Sequence, residues 1–124
     1  MIPLRNIAYA RSGDKGNSAN VAVFGRSSAA YAWLRDHLTA AAVEEYFRPL
    51  GVGRVMRFDV PNLEAINFVL PNILGGGGSR SLRIDAQGKT LGMALLEMPI
   101  DAEAHLTADN GSHANNPQPS ASSP

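Results

Sequence analysis

The stretch "LRNIAYARSGDKGNSANVAVFG", residues 4–25, decides the fold, because two apolar segments flank a polar, glycine-rich connection. Residues 4–9 alternate loosely and residues 19–25 carry β-branched and aromatic side chains, so each segment predicts a β-strand. Residues 10–18 between them then form the loop of an open hairpin, longer than a two-residue turn. Because strand ends hold both ends of this loop, we expect its polar groups to converge on one edge of the sheet.

Two helices are predicted after this hairpin. Ser27 and Ser28 both suit the N-cap of a helix over residues 29–38, and Thr39 suits the N-cap of a second helix over 40–50. Apolar residues at helical spacing predict the two buried faces. These faces comprise Ala30, Tyr31, Trp33, Leu34 and Leu38 in the first helix, and Val43, Tyr46, Phe47 and Leu50 in the second.

The middle of the chain predicts a further strand and an ambiguous segment. Residues 52–60, "VGRVMRFDV", alternate, and Pro61 closes the strand. Residues 62–74 could form a short helix capped by Asn62, or "INFVL" could form a strand; we favour the helix. In the strand over 52–60 the more apolar side is expected to face inward, and it comprises Val52, Arg54, Met56, Phe58 and Val60.

The last apolar part of the chain is divided by glycines. The four glycines at 75–78 predict a flexible connection, residues 80–85 a strand and residues 86–89 a turn. Residues 90–100 predict either a strand or a short helix leading into one.

These elements predict one α+β domain over residues 1–100, an antiparallel sheet of about four or five strands with helices on one face. After it, residues 101–124 consist mainly of Pro, Ser, Asn and Ala with one Leu. Such a segment cannot bury enough apolar surface to order itself, so we expect a flexible tail outside the domain.

The amino-acid composition excludes several classes of functional site. The chain has 124 residues, 44% of them hydrophobic, and no cysteine, which excludes disulfides, thiolate nucleophiles, iron–sulfur clusters and cysteine-based zinc sites. The N-terminus has no signal-peptide pattern and no apolar stretch is long enough to span a membrane, so we expect a cytoplasmic protein without membrane contact.

Residues 1–100 hold all 11 basic and 8 of the 11 acidic residues, a net charge of +3. Nine of the basic residues are arginine, which suits carboxylate or phosphate partners, but we favour codon bias as the reason for the surplus.

The loop "SGDKGNSAN", residues 12–20, matches no nucleotide-binding motif. A Walker A loop places its lysine after a glycine and opens into a helix, whereas here Lys15 precedes Gly16 and a strand follows. One hypothesis is an anion nest: Gly13 and Gly16 both adopt positive φ, so that backbone amides converge on a carboxylate or a coenzyme A phosphate. Lys15 adds a cation there, and further donors come from Asn17, Ser18 and Asn20. The alternative is a polar turn in which Asp14 and the asparagines bond to their own backbone.

A second group of polar residues lies in the apolar segment that follows Val60: Asn62, Glu64, Asn67 and Asn72. These residues either brace the backbone or line a pocket.

No metal site is predicted, because no two of His37, His105 and His113 stand at a ligand spacing with a carboxylate. No cofactor is predicted, and the low aromatic content without a basic stripe argues against nucleic acid.

Three blocks together carry a family resemblance. "ARSGDKGNSANVAVFGRS" (10–27), the helical "YAWL…LT…V…YF" and "VPNLEAINFVLPNILGGGGSRSLRIDAQGKTLGMALLEMPI" (60–100) resemble the small C-terminal domain of the acyclic terpene utilisation protein (AtuA-like) family. The resemblance covers residues 4–100 and implies a ferredoxin-like two-layer sandwich. In long family members this domain follows a larger N-terminal domain that is not found here.

The resemblance therefore implies an accessory small subunit of a homo- or hetero-oligomer that completes a larger AtuA-type partner. Its setting would be the catabolism of terpenoid or branched acyl-CoA compounds, with chemistry of the hydratase or dehydratase type. The alternatives are a non-enzymatic oligomerisation module and a stand-alone enzyme that uses Asp14 and Lys15.

By the same resemblance, the motif positions fall on the first loop, on Pro61, Asn62, Asn67 and Phe68, and on Gly75, Gly76 and Gly77. The candidate catalytic residues are Asp14, as a base, and Lys15, as a charge toward a carboxylate or thioester oxygen. The candidate binding residues for an acyl-CoA or carboxylate ligand are Arg11, Ser12, Gly13, Gly16, Asn17, Asn20, Asn62 and Asn67.

Overall fold

A four-stranded antiparallel sheet organises the molecule. The computed structural model describes residues 1–73 and 88–102, with only the backbone for residues 88–90. The sheet has the order β2-β3-β5-β4, and its strands are β2 (Ala8–Lys15), β3 (Ser18–Gly25), β4 (Met56–Val60) and β5 (Ala65–Leu70). A separate two-stranded sheet joins β1 (Ile2–Pro3) to β6 (Pro99–Ile100).

The first hairpin differs from the sequence prediction. Leu4–Asn6 form a 3₁₀ turn, β2 begins at Ala8, and the ladder continues through the polar stretch to the pair Lys15↔Ser18. The prediction of a long open connection is therefore wrong, since two residues, Gly16 and Asn17, join the strands. Small and polar side chains do not break a ladder, because its hydrogen bonds are made by the backbone.

The two predicted helices are confirmed with their caps. In α1 (Ser28–His37) the side chain of Ser27 accepts a hydrogen bond from Ala30 N, and in α2 (Ala40–Phe47) that of Thr39 accepts from Ala42 N, each at 3.0 Å. These bonds satisfy amides that lack a partner in the first turn of a helix. A 3₁₀ turn, Arg48–Leu50, follows α2. Most of the two predicted apolar faces are buried, and Trp33, Tyr46 and Leu50 are partly buried against the core.

The ambiguous segment forms a strand, so the favoured short helix is wrong and the alternative is correct. Pro61–Leu63 form a 3₁₀ turn, Glu64 adopts a left-handed conformation with φ of 51°, and β5 then pairs with β3 and β4 at once. A strand with neighbours on both sides is buried, which explains its nearly continuous apolar sequence. Later, α3 (Gly88–Leu96) leads into β6, as the second of the two predictions for residues 90–100 states.

The predictions for residues 75–78 and 80–85 and for most of the tail lie outside the described residues, and the predicted turn over 86–89 overlaps the start of α3 at Gly88.

The helices pack on one face of the sheet, which makes the predicted α+β sandwich. Fully buried side chains from both layers meet there, among them Val21, Val23, Leu34, Val43, Ile66, Phe68, Leu91 and Leu95. Glycine allows the closest approaches: a Cβ on Gly25 would lie 2.6 Å from the backbone nitrogen of Tyr31, and one on Gly92 would lie 2.9 Å from Ser12 Oγ. Among the described residues, none of the helices has the length and apolar character needed to cross a membrane.

Strand β4 faces the opposite way from the prediction. The side chain of Arg57 points to the helices and donates hydrogen bonds to two backbone carbonyls at the end of α1, Leu38 O and Arg35 O, each at 2.8 Å. It also forms an ion pair with Asp59, with Nε 2.8 Å from Oδ1. Because neighbouring residues alternate, the apolar side chains of Met56 and Phe58 then face away from the core and are 47% and 51% exposed.

Replacing Arg57 by Met should lower the free energy of unfolding by about 1.5 kcal/mol, because one partly buried and one exposed carbonyl lose charged donors. Urea unfolding followed by circular dichroism measures this change. Arg5→Met is the control, since the Arg5–Glu97 pair is exposed on both sides and should be worth less than about 1 kcal/mol. Equal effects of the two substitutions would contradict the role given to Arg57.

The stability of the fold should depend on pH through Asp59. The side-chain hydrogen bond from Arg57 lowers the pKa of Asp59 below its usual 3.8. A lowered pKa in the folded state stabilises the fold above the unfolded-state value, and this contribution is lost as the pH falls through the folded pKa. Asp59→Asn should therefore reduce the loss of stability between pH 7 and about pH 3, and Arg57→Met should do the same, in urea unfolding at both pH values. Unchanged pH dependence in both variants would refute this assignment.

The hairpin turn should require glycine at position 16. Gly16 has φ of 63°, and a two-residue loop with positive φ at its first position alone is typical of a type II′ turn. Gly16→Ala should cost about 1 kcal/mol or more in unfolding free energy, because an L side chain is strained there. Asn17→Ala, at the adjacent turn position, should change it by less than about 0.5 kcal/mol. If thermal melting shows both variants to be alike, the turn assignment is wrong.

Candidate functional site

The face of the sheet that points away from the helices carries most of the sequence-predicted residues. We call it the open face; strand register and alternation define it, and none of the described helices packs on it. Its residues are Tyr9, Arg11, Gly13 and Lys15 from β2, Ser18, Asn20, Ala22 and Phe24 from β3, Met56, Phe58 and Val60 from β4, and Ala65, Asn67 and Val69 from β5.

A polar centre of three residues, Arg11, Asn20 and Asn67, lies in the middle of the open face. Asn20 Nδ2 donates to Asn67 Oδ1 at 3.3 Å across two neighbouring strands. Arg11 and Asn67 stand on either side of Ala22 in one cross-strand row. The structure thus brings together three predicted binding residues that are widely separated in the sequence.

Gly13 has a role in this centre that differs from the predicted one. It lies within the ladder opposite Asn20, its φ is not positive, and a Cβ there would come 3.3 Å from Asn20 Oδ1. Gly13 therefore leaves room for the Asn20 side chain. Gly13 therefore does not supply the positive φ that the anion-nest hypothesis gave it, and of the two glycines Gly16 alone adopts it.

Large apolar side chains flank the polar centre on two sides, from β2 and β3 on one side and from β4 on the other. We call Tyr9, Phe24, Met56 and Phe58 the apolar rim. The rings of Tyr9 and Phe24 stack across β2 and β3 with centroids 5.0 Å apart and planes 6° apart. The guanidinium of Arg26 lies 5.9 Å from the Tyr9 ring centroid, within reach of a cation–π interaction.

Sequence reasoning missed the apolar rim because it assigned Met56 and Phe58 to the core. Alternation shows that two sides of a strand differ but not which one meets the helices. The available signal was the pair Arg57 and Asp59 on the other side, since an arginine with a nearby carboxylate can be half-buried where helix carbonyls need donors.

The structure does not bring Asp14 and Lys15 together as a catalytic pair. They are consecutive residues of β2, so their side chains project to opposite faces of the sheet, and both are exposed beside the hairpin turn. Lys15 shares the open face with Arg11, whereas Asp14 lies on the side of the helices. Their catalytic roles stay predictions, and the alternation argues against a joint one.

Three other predicted residues lie away from the polar centre. Ser12 faces the helices, where its Oγ accepts a hydrogen bond from Gly92 N at 3.2 Å. Asn17 occupies the exposed turn. Asn62 lies in the 3₁₀ turn between β4 and β5, at the opposite end of the sheet and roughly 20 Å from the hairpin turn at 3.3 Å per residue. Of the two candidate binding residues in the segment after Val60, Asn67 therefore contacts the first hairpin and Asn62 does not.

Neighbouring contacts explain two other polar residues of the segment after β4. Glu64 Oε2 accepts a hydrogen bond from Ser28 Oγ at 2.6 Å, which ties the turn before β5 to the start of α1. Asn72 is exposed, with φ of 61°. Glu64 thus braces the fold, which is one of the two readings of this segment. In the described ranges 1–73 and 88–102, no three His, Asp or Glu side chains are grouped so that they could hold a metal ion.

The charges of the open face have one sign. Arg11 and Lys15 are its charged residues, and none of the residues that define the face is acidic. Asp14 and Asp59 both project from the other side of the sheet. The open face is therefore a cationic, hydrogen-bond-donating centre set among aromatic and thioether side chains.

Comparison with known proteins identifies the family. The model of the AtuA ferredoxin-like domain matches residues 2–101, which include every strand and helix described above. Neither the curated proteins nor the solved structures that were searched gave a significant match. The order of the hairpin, the two capped helices and the second strand pair agrees with the sequence blocks on which the resemblance depended. The chain belongs to the AtuA ferredoxin-like domain family.

Proposed function

We propose that this chain is an accessory small subunit that binds a larger AtuA-type protein through its open face. The observation that carries the proposal is the orientation of β4, which leaves Met56 and Phe58 about half exposed at one edge of the open face, while Tyr9 is exposed at the opposite edge. Met56 and Phe58 are next to each other on the outer side of one strand, and exposed apolar side chains grouped in this way mark a place where another molecule binds, because exposure to water costs free energy that association recovers.

The composition of the open face supports a protein partner. Aromatic residues, methionine and arginine are enriched at the centres of protein interfaces, whereas lysine and acidic residues are depleted there. The apolar rim and Arg11 supply the enriched types. Binding energy in such interfaces is concentrated in a few central residues that neighbouring contacts shield from water.

The setting of the proposal comes from the family. We place the complex in the catabolism of terpenoid or branched acyl-CoA compounds, with hydration or dehydration as the reaction class and the larger protein as the partner that completes the catalytic set. An acyl-CoA or carboxylate ligand would bind at the junction of the two proteins. Asp14 and Lys15 project to opposite faces, which disfavours the stand-alone enzyme that pairs them.

The experiment is an affinity purification from the native host. The tagged chain should retain a larger AtuA-type protein in a fixed molar ratio, identified by mass spectrometry and confirmed with the two purified proteins. Phe58→Glu should weaken this binding by at least about 100-fold in titration calorimetry, because it introduces an unpaired carboxylate into a buried apolar contact.

Met93→Glu is the matched control. Met93 is 65% exposed on α3, on the helical side of the molecule, and its substitution should leave the affinity within about twofold. Circular dichroism should show both variants folded, since both sites are exposed. Recovery of the tagged chain without a larger AtuA-type protein, or equal weakening by both substitutions, would overturn the proposal.

A further inference from the structure

We infer that an acidic side chain of the larger protein sits over Arg11 at the polar centre, and that a second copy of this chain is not the occupant of the open face. This inference rests on the proposed function, because it specifies the chemistry of the partner surface. It concerns a different interaction from the apolar contact of Phe58, so the two can fail separately.

The first support is the pairing of the arginines. Four arginines of the described ranges form ion pairs with carboxylates of this chain: Arg5, Arg35, Arg48 and Arg57. In those same ranges no ion pair involves Arg11 or Lys15. Arg26 and Arg54 of these ranges form none either, so what distinguishes Arg11 and Lys15 is that no described carboxylate pairs with them and that both lie on the open face.

The second support is an excess of donors at the polar centre. The bond from Asn20 Nδ2 to Asn67 Oδ1 uses one donor and one acceptor, and both N–H groups of the Asn67 amide remain for a further partner. Arg11 adds five N–H donors and no acceptor. A carboxylate, which only accepts, complements this set, and arginine commonly binds it through two parallel hydrogen bonds.

The spacing of the centre fits one carboxylate. Arg11 and Asn67 are separated by one strand, so their Cα atoms stand roughly 10 Å apart, and the small side chain of Ala22 lies between them. A carboxylate above Ala22 can accept hydrogen bonds from both. The apolar rim then excludes water from this pair, which strengthens a charged hydrogen bond.

The same charges disfavour self-association through this face. A twofold dimer places the same surface on both sides of the interface. Two open faces in contact would bring together four cations, two Arg11 and two Lys15, with no carboxylate from either face. Juxtaposed like charges in an interface are unfavourable, so an acidic surface is the better partner.

The experiment measures the affinity of the tagged chain for the co-purified larger protein at 50 and 500 mM NaCl. Arg11→Met should weaken binding by about 30-fold or more at the lower salt concentration, because it leaves the partner carboxylate buried without its cationic donor. Arg11→Lys, which keeps the charge but loses the fork, should fall between wild type and Arg11→Met. Arg48→Met, on the helical side of the molecule, should change the affinity by less than about twofold.

The salt dependence gives a second readout. The wild-type affinity should fall between the two salt concentrations, and Arg11→Met should reduce that fall, because salt screens the charges that steer the partner. In sedimentation velocity, the isolated chain should not form a dimer through the open face. Any dimer that is observed should therefore persist in the Phe58→Glu variant.

The outcomes separate the two proposals. Binding that Phe58→Glu abolishes but Arg11→Met leaves within twofold keeps the proposed function and overturns this inference. A dimer of the isolated chain that depends on Phe58 also overturns it. If no larger AtuA-type protein binds at all, the proposed function fails and this inference fails with it.

Discussion

The hydrogen bonds from Arg57 to the end of α1 control the surface chemistry of this molecule. Helix α1 ends with carbonyls that have no partner inside the helix, and Arg57 supplies donors to two of them at 2.8 Å. Since side chains alternate along β4, the residue that turns inward decides which residues turn outward. A charged side chain inside the sandwich thus places Met56 and Phe58 on the open face.

The open face then has the features of an interface with a polar centre. Asn20 donates a hydrogen bond to Asn67 on the neighbouring strand, and Gly13 leaves space for the Asn20 side chain. Arg11 lies on the other side of Ala22 from Asn67. The glycine-rich motif that first suggested an anion-binding loop contributes to this surface mainly from within a strand. Its glycines serve two separate needs: Gly16 closes the hairpin, and Gly13 clears the face of the sheet.

Local features of the fold could be predicted from the sequence, whereas features that depend on distant residues could not. Ser27 and Thr39 cap the helices through bonds to residues three positions away, so their patterns are visible in a short window. Arg57 bonds to residues 19 and 22 positions earlier, and Asn20 bonds to a residue 47 positions later. Such partners lie outside any short window, so the inward side of β4 was assigned wrongly, and Asn20 and Asn67 were predicted as binding residues without the contact between them. The strand β5 was misassigned for a related reason: a short apolar run is compatible with a helix until its neighbours are known.

The most direct measurement uses the absence of cysteine from the chain, which makes single introduced thiols unambiguous. Met56→Cys reports on the open face and Met93→Cys on the helical side, and their rates of modification by a maleimide can be compared in the free chain and in the complex. Modification should be fast at both positions in the free chain, and in the complex position 56 alone should be protected. Slow modification of position 56 in the free chain, or the same rate there with and without the partner, would contradict it.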